Sequence, residues 1–199
     1  MGPNAVAIGS GIVYWMGKDK FYAYSGRIET LNCDLRKYIF NDINLLQNEQ
    51  VFAGTNEGFN EVWWFYCSAN STTVDRYVVY NYQERIWHYG TMARTAWIDV
   101  GFRDYPQAAT YSYNLVNHEL GNDDNETGTA VAINAYIESA EFDIQDGHNL
   151  GFVYRILPDI TFSGSSGTNP SVTMTLIPMM NFGSGYNNPQ SLGGSSSVS

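Results

Sequence analysis

Short apolar runs broken by polar turns dominate the first half of the chain. Val6-Ala7-Ile8-Gly9, Ile12-Val13-Tyr14-Trp15-Met16 and Phe21-Tyr22-Ala23-Tyr24, followed by a turn and Arg27-Ile28, form one series. Val51-Phe52-Ala53-Gly54, Val62-Trp63-Trp64-Phe65-Tyr66 and Tyr77-Val78-Val79-Tyr80, followed by a turn and Arg85-Ile86-Trp87, form a second. In the second series the runs predict strands at 51–55, 61–67, 75–81 and 85–89, separated by Asn56-Glu57-Gly58, by Ser68 to Thr73 and by Asn81-Tyr82-Gln83-Glu84. Gly and Asn at such breaks are expected to supply the positive φ that hairpins need. Four short strands joined by tight turns make one antiparallel sheet, and self-similarity at a spacing of roughly 40–50 residues marks propeller blades and related β-arrays.

Between the two series, Leu35, Ile39 and Ile43 recur every fourth residue, which predicts a short amphipathic helix at 34–43 capped by Asp34 or Asn32. Its other face carries Arg36, Lys37 and Asp42. A weaker third copy is expected from Ala96 to Asp99, Ala108 to Tyr113 and Leu115 to Glu119, closed by Gly121-Asn122-Asp123-Asp124-Asn125. After Thr129 the pattern lengthens. Ile133, Ala135 and Ile137 alternate with polar neighbours, Phe152 to Leu157 reads as a second strand, Pro158-Asp159 breaks it before Ile160-Thr161-Phe162, and Val172, Met174 and Leu176 alternate in a third. Longer alternating strands predict a β-sandwich in place of another blade.

The expected fold is therefore all-β: a partial β-propeller of about three kelch-like blades over 1–128 with one inserted helix, a β-sandwich-like segment over 129–181, and a Gly/Ser-rich linker or disordered tail over 182–199. A closed propeller needs about 4–8 blades. The sequence thus reads as a fragment of a longer chain.

Composition sharpens this picture. Charged residues are 15% of the chain against 15 Tyr, 10 Phe, 5 Trp and 19 Gly, a mixture that favours strands and tight turns. The net charge of -10 repels phosphate and excludes tight nucleic-acid binding, while suiting a surface past which DNA slides. Cys33 and Cys67 fit no zinc spacing and are expected to be buried free thiols. The start of the chain shows no basic-then-apolar leader, and no apolar run approaches the ~18 residues of a bilayer span, so no membrane anchor is expected. Asn70-Ser71-Thr72 and Asn125-Glu126-Thr127 match a glycosylation pattern that arises often by chance.

Candidate chemistry is sparse. Ser10, in Gly9-Ser10-Gly11, lacks the spacing of a nucleophile elbow. His118-Glu119 opens like a zinc-protease helix but has no second His four residues on, and His88 and His148 stand apart in a strand and a turn. Asn122, Asp123, Asp124, Asn125 and Glu126 are the densest oxygen cluster, without the alternation of an EF-hand, so a metal in this loop stays open beside simple solvation. Glu138, Glu141, Asp143 and Asp146 contain acid pairs of the kind glycosidases use, although Asp143 and Asp146 also suit the turn that ends at Gly147. Trp63, Trp64 and Trp87 are read as core between blades. No catalytic, cofactor-binding or metal-binding residue is assigned, no cofactor is expected, and the chain is read as a non-enzyme.

The stretch Glu61-Val62-Trp63-Trp64-Phe65-Tyr66, with Tyr77-Val78-Val79-Tyr80-Asn81-Tyr82 and Trp87-His88-Tyr89-Gly90, resembles the tail-hub or nozzle proteins of short-tailed bacteriophages, also called packaged-DNA stabilisation proteins. Tyr38-Ile39-Phe40-Asn41-Asp42-Ile43-Asn44, Arg94-Thr95-Ala96-Trp97-Ile98-Asp99, His118-Glu119-Leu120-Gly121, Ala135-Tyr136-Ile137-Glu138-Ser139, Phe142-Asp143 with Asp146-Gly147, and Leu157-Pro158-Asp159 follow in the family's order. The resemblance spans residues 5–180. It implies a homohexameric ring in the virion tail, assembled in the host cytoplasm. The ring lies beneath the portal and adaptor, and double-stranded DNA is retained by it and ejected through it without tight binding. It also implies blades before residue 1 and strands beyond residue 199. It transfers no catalytic residue. The rival readings are a carbohydrate-binding or glycan-active propeller, which lacks here the repeated S-x-D-x-G-x-T-W box, and a secreted adhesin built of repeat blades.

Overall fold

The computed structural model describes residues 1–133 apart from 102, and thereafter 135–139, 142, 151, 153–155, 157, 159–163, 171–177, 179 and the backbone of 196–198. The chain is all-β, with antiparallel sheets and only short helical turns among the described residues. It divides into two compact units, Met1–Asn134 and Ala135–Ser199.

The first unit opens with a four-stranded meander, sheet 1: β1 (Val6–Gly9), β2 (Ile12–Met16), β3 (Phe21–Tyr24) and β4 (Ile28–Leu31), hydrogen-bonded in that order. Ser10 and Gly11, both at positive φ (50° and 77°), make the two-residue turn between β1 and β2. Sheet 2 repeats the plan with β5 (Phe52–Asn56), β6 (Glu61–Tyr66), β7 (Arg76–Asn81) and β8 (Ile86–Thr91), again in sequence order. The expected strands of both series are present. The positive φ is misplaced in the expectation: it falls on Asn60 (60°) and Arg85 (61°), and not on Gly58 or Asn81. Asn81 instead accepts the amides of Gln83 and Glu84 (3.1 and 2.9 Å) with its side-chain oxygen, an Asx turn that delivers the chain to Arg85.

Between the sheets, α1 (Arg36–Asp42) places Ile39 and Ile43 in the core. The expected caps do not act: the N-cap is Leu35, with no side-chain cap bond, because a turn at 34–35 already joins the Arg36 amide to the Cys33 carbonyl (3.1 Å). A 3-10 helix at Leu45–Gln50, capped by the Asn44 side chain, leads into sheet 2. Cys33 and Cys67 are free and buried, as expected, and burial pushes the Cys33 thiol up to about 11.

The third copy is smaller than expected. Sheet 3 has three strands, β9 (Ala96–Ile98), β10 (Gln107–Ala109) and β11 (Leu115–Asn117), in the order β11-β10-β9. The run to Tyr113 is cut short because Thr110 to Asn114 form a turn, with Tyr113 at φ 63°. The closing stretch 121–125 makes no fourth strand. Its β12 (Asp123–Asp124) pairs with β13 (Val131–Ala132) in a separate hairpin.

The sheets stack through alternating side chains. Along β6, Val62, Trp64 and Tyr66 join Tyr14, Met16 and Phe21 of sheet 1 in one core, whereas Trp63 and Phe65 join Val79, Phe52 and Trp97 in a second, toward sheet 3. The first strands lie side by side, β1 against β5 and β5 against β9.

In the second unit, β14 (Val172–Met174) pairs with β15 (Ser196–Val198). The strands expected around 133–138, 152–157 and 160–162 are not formed at the described positions there. Tyr136, Ile137 and Tyr154 stand exposed, and alternation produces a strand only where a second layer covers its apolar face. The stretch expected to be a linker supplies β15, while 182–195 lie outside the described residues. Among the described residues no helix is long and apolar enough to cross a membrane.

Candidate functional site

Where the first strands converge they border a groove of about 670 Å³, lined by Val6 from β1, Phe52 and Ala53 from β5 and Trp97 from β9. The Ala53 amide donates to the Asn4 carbonyl (2.8 Å), which ties the lead-in of sheet 1 to sheet 2 at this edge. Glu49 and Tyr111 stand among the lining residues, which include no Lys or Arg. A groove of this kind offers hydrogen bonds and a negative charge and has no cation to hold a phosphate.

Trp97 is fixed rather than available. Its indole N–H donates to the Thr55 carbonyl (2.7 Å), its ring stacks on Trp63 (5.3 Å, 14°), and the His118 ring lies 4.7 Å away. Gly54 makes this approach possible, since a Cβ there would meet the indole.

Behind Trp97 sits a polar network centred on Arg94. Arg94, 9% exposed, donates from Nε to His118 Nε2 (3.1 Å) and from Nη1 to Glu126 Oε2 (3.0 Å) and to its neighbour's carbonyl at Ala93 (2.8 Å). Burial, and secondly the Arg94 charge, lowers the His118 pKa to about 4, so the imidazole is neutral and accepts the guanidinium proton. The network joins sheet 3 to the 121–128 turn. Nearby, Asn56 donates to Glu119 (3.1 Å) and Asp99 accepts the Glu57 amide (2.9 Å), so the edge of sheet 3 clasps the β5–β6 turn.

The residues weighed from sequence are dispersed. Ser10 is a turn residue. His88 lies 3.4 Å from Glu61 at the end of sheet 2, and His118 belongs to the Arg94 network. In the 122–126 loop, Glu126 is held by Arg94 and its amide donates to Asp124 (2.9 Å). Among the described residues no three His, Cys, Asp or Glu side chains are grouped as ligands for a cation. Glu138 is exposed on a stretch without strand, while Glu141, Asp143, Asp146 and His148 lie outside the described residues. Trp63 and Trp64 are core residues, as expected. Trp87 is half-buried between the sheets, 4.6 Å from Phe21, with its indole donating to the Asn32 carbonyl (2.8 Å).

Sequence reasoning did not single out the Arg94 network. Its members lie 24 and 32 residues apart, and the one local signal was an arginine before the apolar Ala96-Trp97-Ile98 run. Neither a family model nor a curated protein matches the chain.

Proposed function

We propose that this chain is a non-enzymatic structural component of a phage tail, part of a ring or nozzle below the portal through which DNA is retained and ejected. One observation carries the reading. Successive antiparallel meanders stack face to face with their first strands side by side, the plan of propeller blades around an axis. They use the same segments that resemble the nozzle family.

The axial groove has no Lys or Arg in its lining, and the chain carries a net charge of -10. A channel built from copies of so acidic a chain would let the DNA backbone pass without neutralising its phosphates. The proposed assembly is a ring of six copies that contacts portal, adaptor and other tail proteins in the virion. The carbohydrate-binding reading needs an open aromatic platform. Within this groove Trp97 already packs against Trp63 and His118 and presents no free ring to a sugar.

Antibodies raised against residues 1–133 test the proposal on purified phage particles by immuno-electron microscopy. Label confined to the tail is expected. Particles that remain unlabelled, while the same serum detects the protein free in the host lysate, would overturn it. Specific retention on a glycan array would replace it with the carbohydrate reading.

A further inference from the structure

We infer that residues 121–132 form a strap, latched to sheet 3 through Glu126, that acid releases while sheets 1 and 2 stay folded. The inference rests on the geometry around Arg94 and stands whether or not the virion reading does.

Little holds this segment to the rest of its unit. Glu126 is its one part-buried residue; the rest of the turn and both strands of the β12–β13 hairpin are exposed. Among the described residues, no apolar side chain of the strap joins either core. Its bonds run mostly within itself: the Gly128 amide donates to the Asn125 carbonyl (3.0 Å) and the Glu126 amide to Asp124 (2.9 Å). The bonds that leave it for sheet 3 both end on Glu126. Its carboxylate accepts from Arg94 Nη1 (3.0 Å) and its carbonyl from the Asn114 side chain (3.2 Å). A segment with so few buried contacts belongs to the low end of local stability.

Arg94 is held from its other side by His118. A guanidinium only donates, so the 3.1 Å contact from Arg94 Nε requires a neutral imidazole that accepts at Nε2 and carries its proton on Nδ1. Protonation of His118 therefore destroys this bond and sets two cations in contact at an arginine that is 9% exposed.

The other groups facing His118 do not cancel that repulsion. Asp124 of β12 favours the charged form, and Glu126 lies on the far side of Arg94. Trp97 of β9 and the Pro106 carbonyl before β10 do not titrate, and the Glu119 carboxylate is engaged by Asn56. Burial and Arg94 outweigh Asp124, since the histidine titrates at about 4. Protons thus bind an open form better than the closed one, and acid favours any opening that hydrates His118 and parts it from Arg94. In that opening the guanidinium turns to water and Glu126 loses the donor that tethers the strap. The strap closes the first unit, Met1–Asn134, so its release adds free chain to the connection with the second.

Amide 15N relaxation on the full chain tests the inference, with the His118 ring nitrogens followed in the same samples. At neutral pH the strap should be as ordered as β6 and β7, with order parameters of about 0.85. As His118 gains its proton, those of 121–132 should fall below about 0.6 while β6 and β7 keep theirs. His118→Gln retains an acceptor for Arg94 without titrating, and its strap should stay ordered through the same pH range. Glu126→Ala removes the tether from an otherwise exposed segment, and its strap should be mobile already at neutral pH. An ordered strap in Glu126→Ala would overturn the inference, as would acid loosening of equal size in His118→Gln. Order that persists once His118 is protonated would overturn it too. So would loss of the β6 and β7 signals together with those of the strap, which would then be no separate unit.

Discussion

Sheets 1 and 2 share strand order, strand number and register, yet only one of them is buried on both faces. In β6 the run Val62 to Tyr66 is continuously buried, because sheet 1 covers alternate residues and sheet 3 covers the others. In β2 only Tyr14 and Met16 are buried, and Val13 and Trp15 remain half-exposed. The same topology thus gives a central sheet whose apolar strand is buried throughout and an end sheet whose equally apolar strand, Ile12 to Met16, is fully buried only at Tyr14 and Met16. Burial in this unit is set by place in the stack more than by composition of the strand.

The sharpest test of this contrast compares Trp64 with its counterpart Trp15. Trp64→Ala removes a fully buried indole and its bond to Ala5, and should cost about 3–5 kcal/mol in urea unfolding. Trp15→Ala, at a half-exposed position, should cost under about 1 kcal/mol. Equal losses would mean that the end sheet is as fully packed as the central one.

Trp87 and Ile28 repeat the comparison on the outer strands, since Asn81 pairs with Ile86 and Tyr80 with Trp87 as Tyr24 does with Ile28. Trp87 is half-buried against Phe21 and Tyr80, so Trp87→Ala should cost about 2–3 kcal/mol, below the range for a fully buried Trp. Ile28→Ala should shift stability by less than about 0.5 kcal/mol. Thermal denaturation of both variants checks the pair.

Sheets 1 and 2 were legible in the sequence because their apolar runs are four to six residues long and bounded by turn residues. Sheet 3 was only partly so: its strands are three residues each, and the polar stretch between β9 and β10 hides the repeat. The helix was visible through Leu35, Ile39 and Ile43, but its missing cap was not, since the turn at 34–35 depends on how sheet 1 delivers the chain. Ile133 and Ile137 alternate as well as any strand residues here and form none, both being largely exposed, because periodicity states a preference and a covering layer decides it. The groove where the first strands converge was not legible at all. Its walls come from three sheets, and its closest approach turns on Gly54, a glycine that sequence marks only as a turn or a gap.

Gly54 offers a smaller test of how tightly the central sheet is covered. A Cβ at this position would meet the Trp97 indole, which is held by Thr55 and by Trp63. Gly54→Ala should therefore cost about 1–2 kcal/mol as overpacking, against the gain that alanine gives in an open strand. An unchanged melting temperature would show that Trp97 shifts freely and that sheet 3 is a loose cover. Trp97 fluorescence, read in a variant in which the other tryptophans are replaced by phenylalanine, would report the movement directly.

The smallest expected effect concerns what holds that cover in place. His118 packs on Trp97 and accepts a hydrogen bond from Arg94, and its pKa lies at about 4, against about 6.5 in an unfolded chain. Between these values the unfolded chain binds more protons than the folded one, so stability rises with pH across this window. The contribution is complete above about pH 6.5 and is lost as pH falls toward 4. Because His118 is only half-buried, solvent screening reduces the effect to about 1 kcal/mol. Protonation places a second positive charge against Arg94 and removes its acceptor, which the carboxylates of Glu126 and Asp124 offset only in part. His118→Gln keeps an acceptor for Arg94 without titrating, and should flatten the stability profile between pH 4 and pH 6.5 while leaving the value at pH 7.5 within about 1 kcal/mol. If the variant keeps the full acid slope, the carboxylates elsewhere in the chain set it, and the cover of sheet 2 does not depend on this histidine.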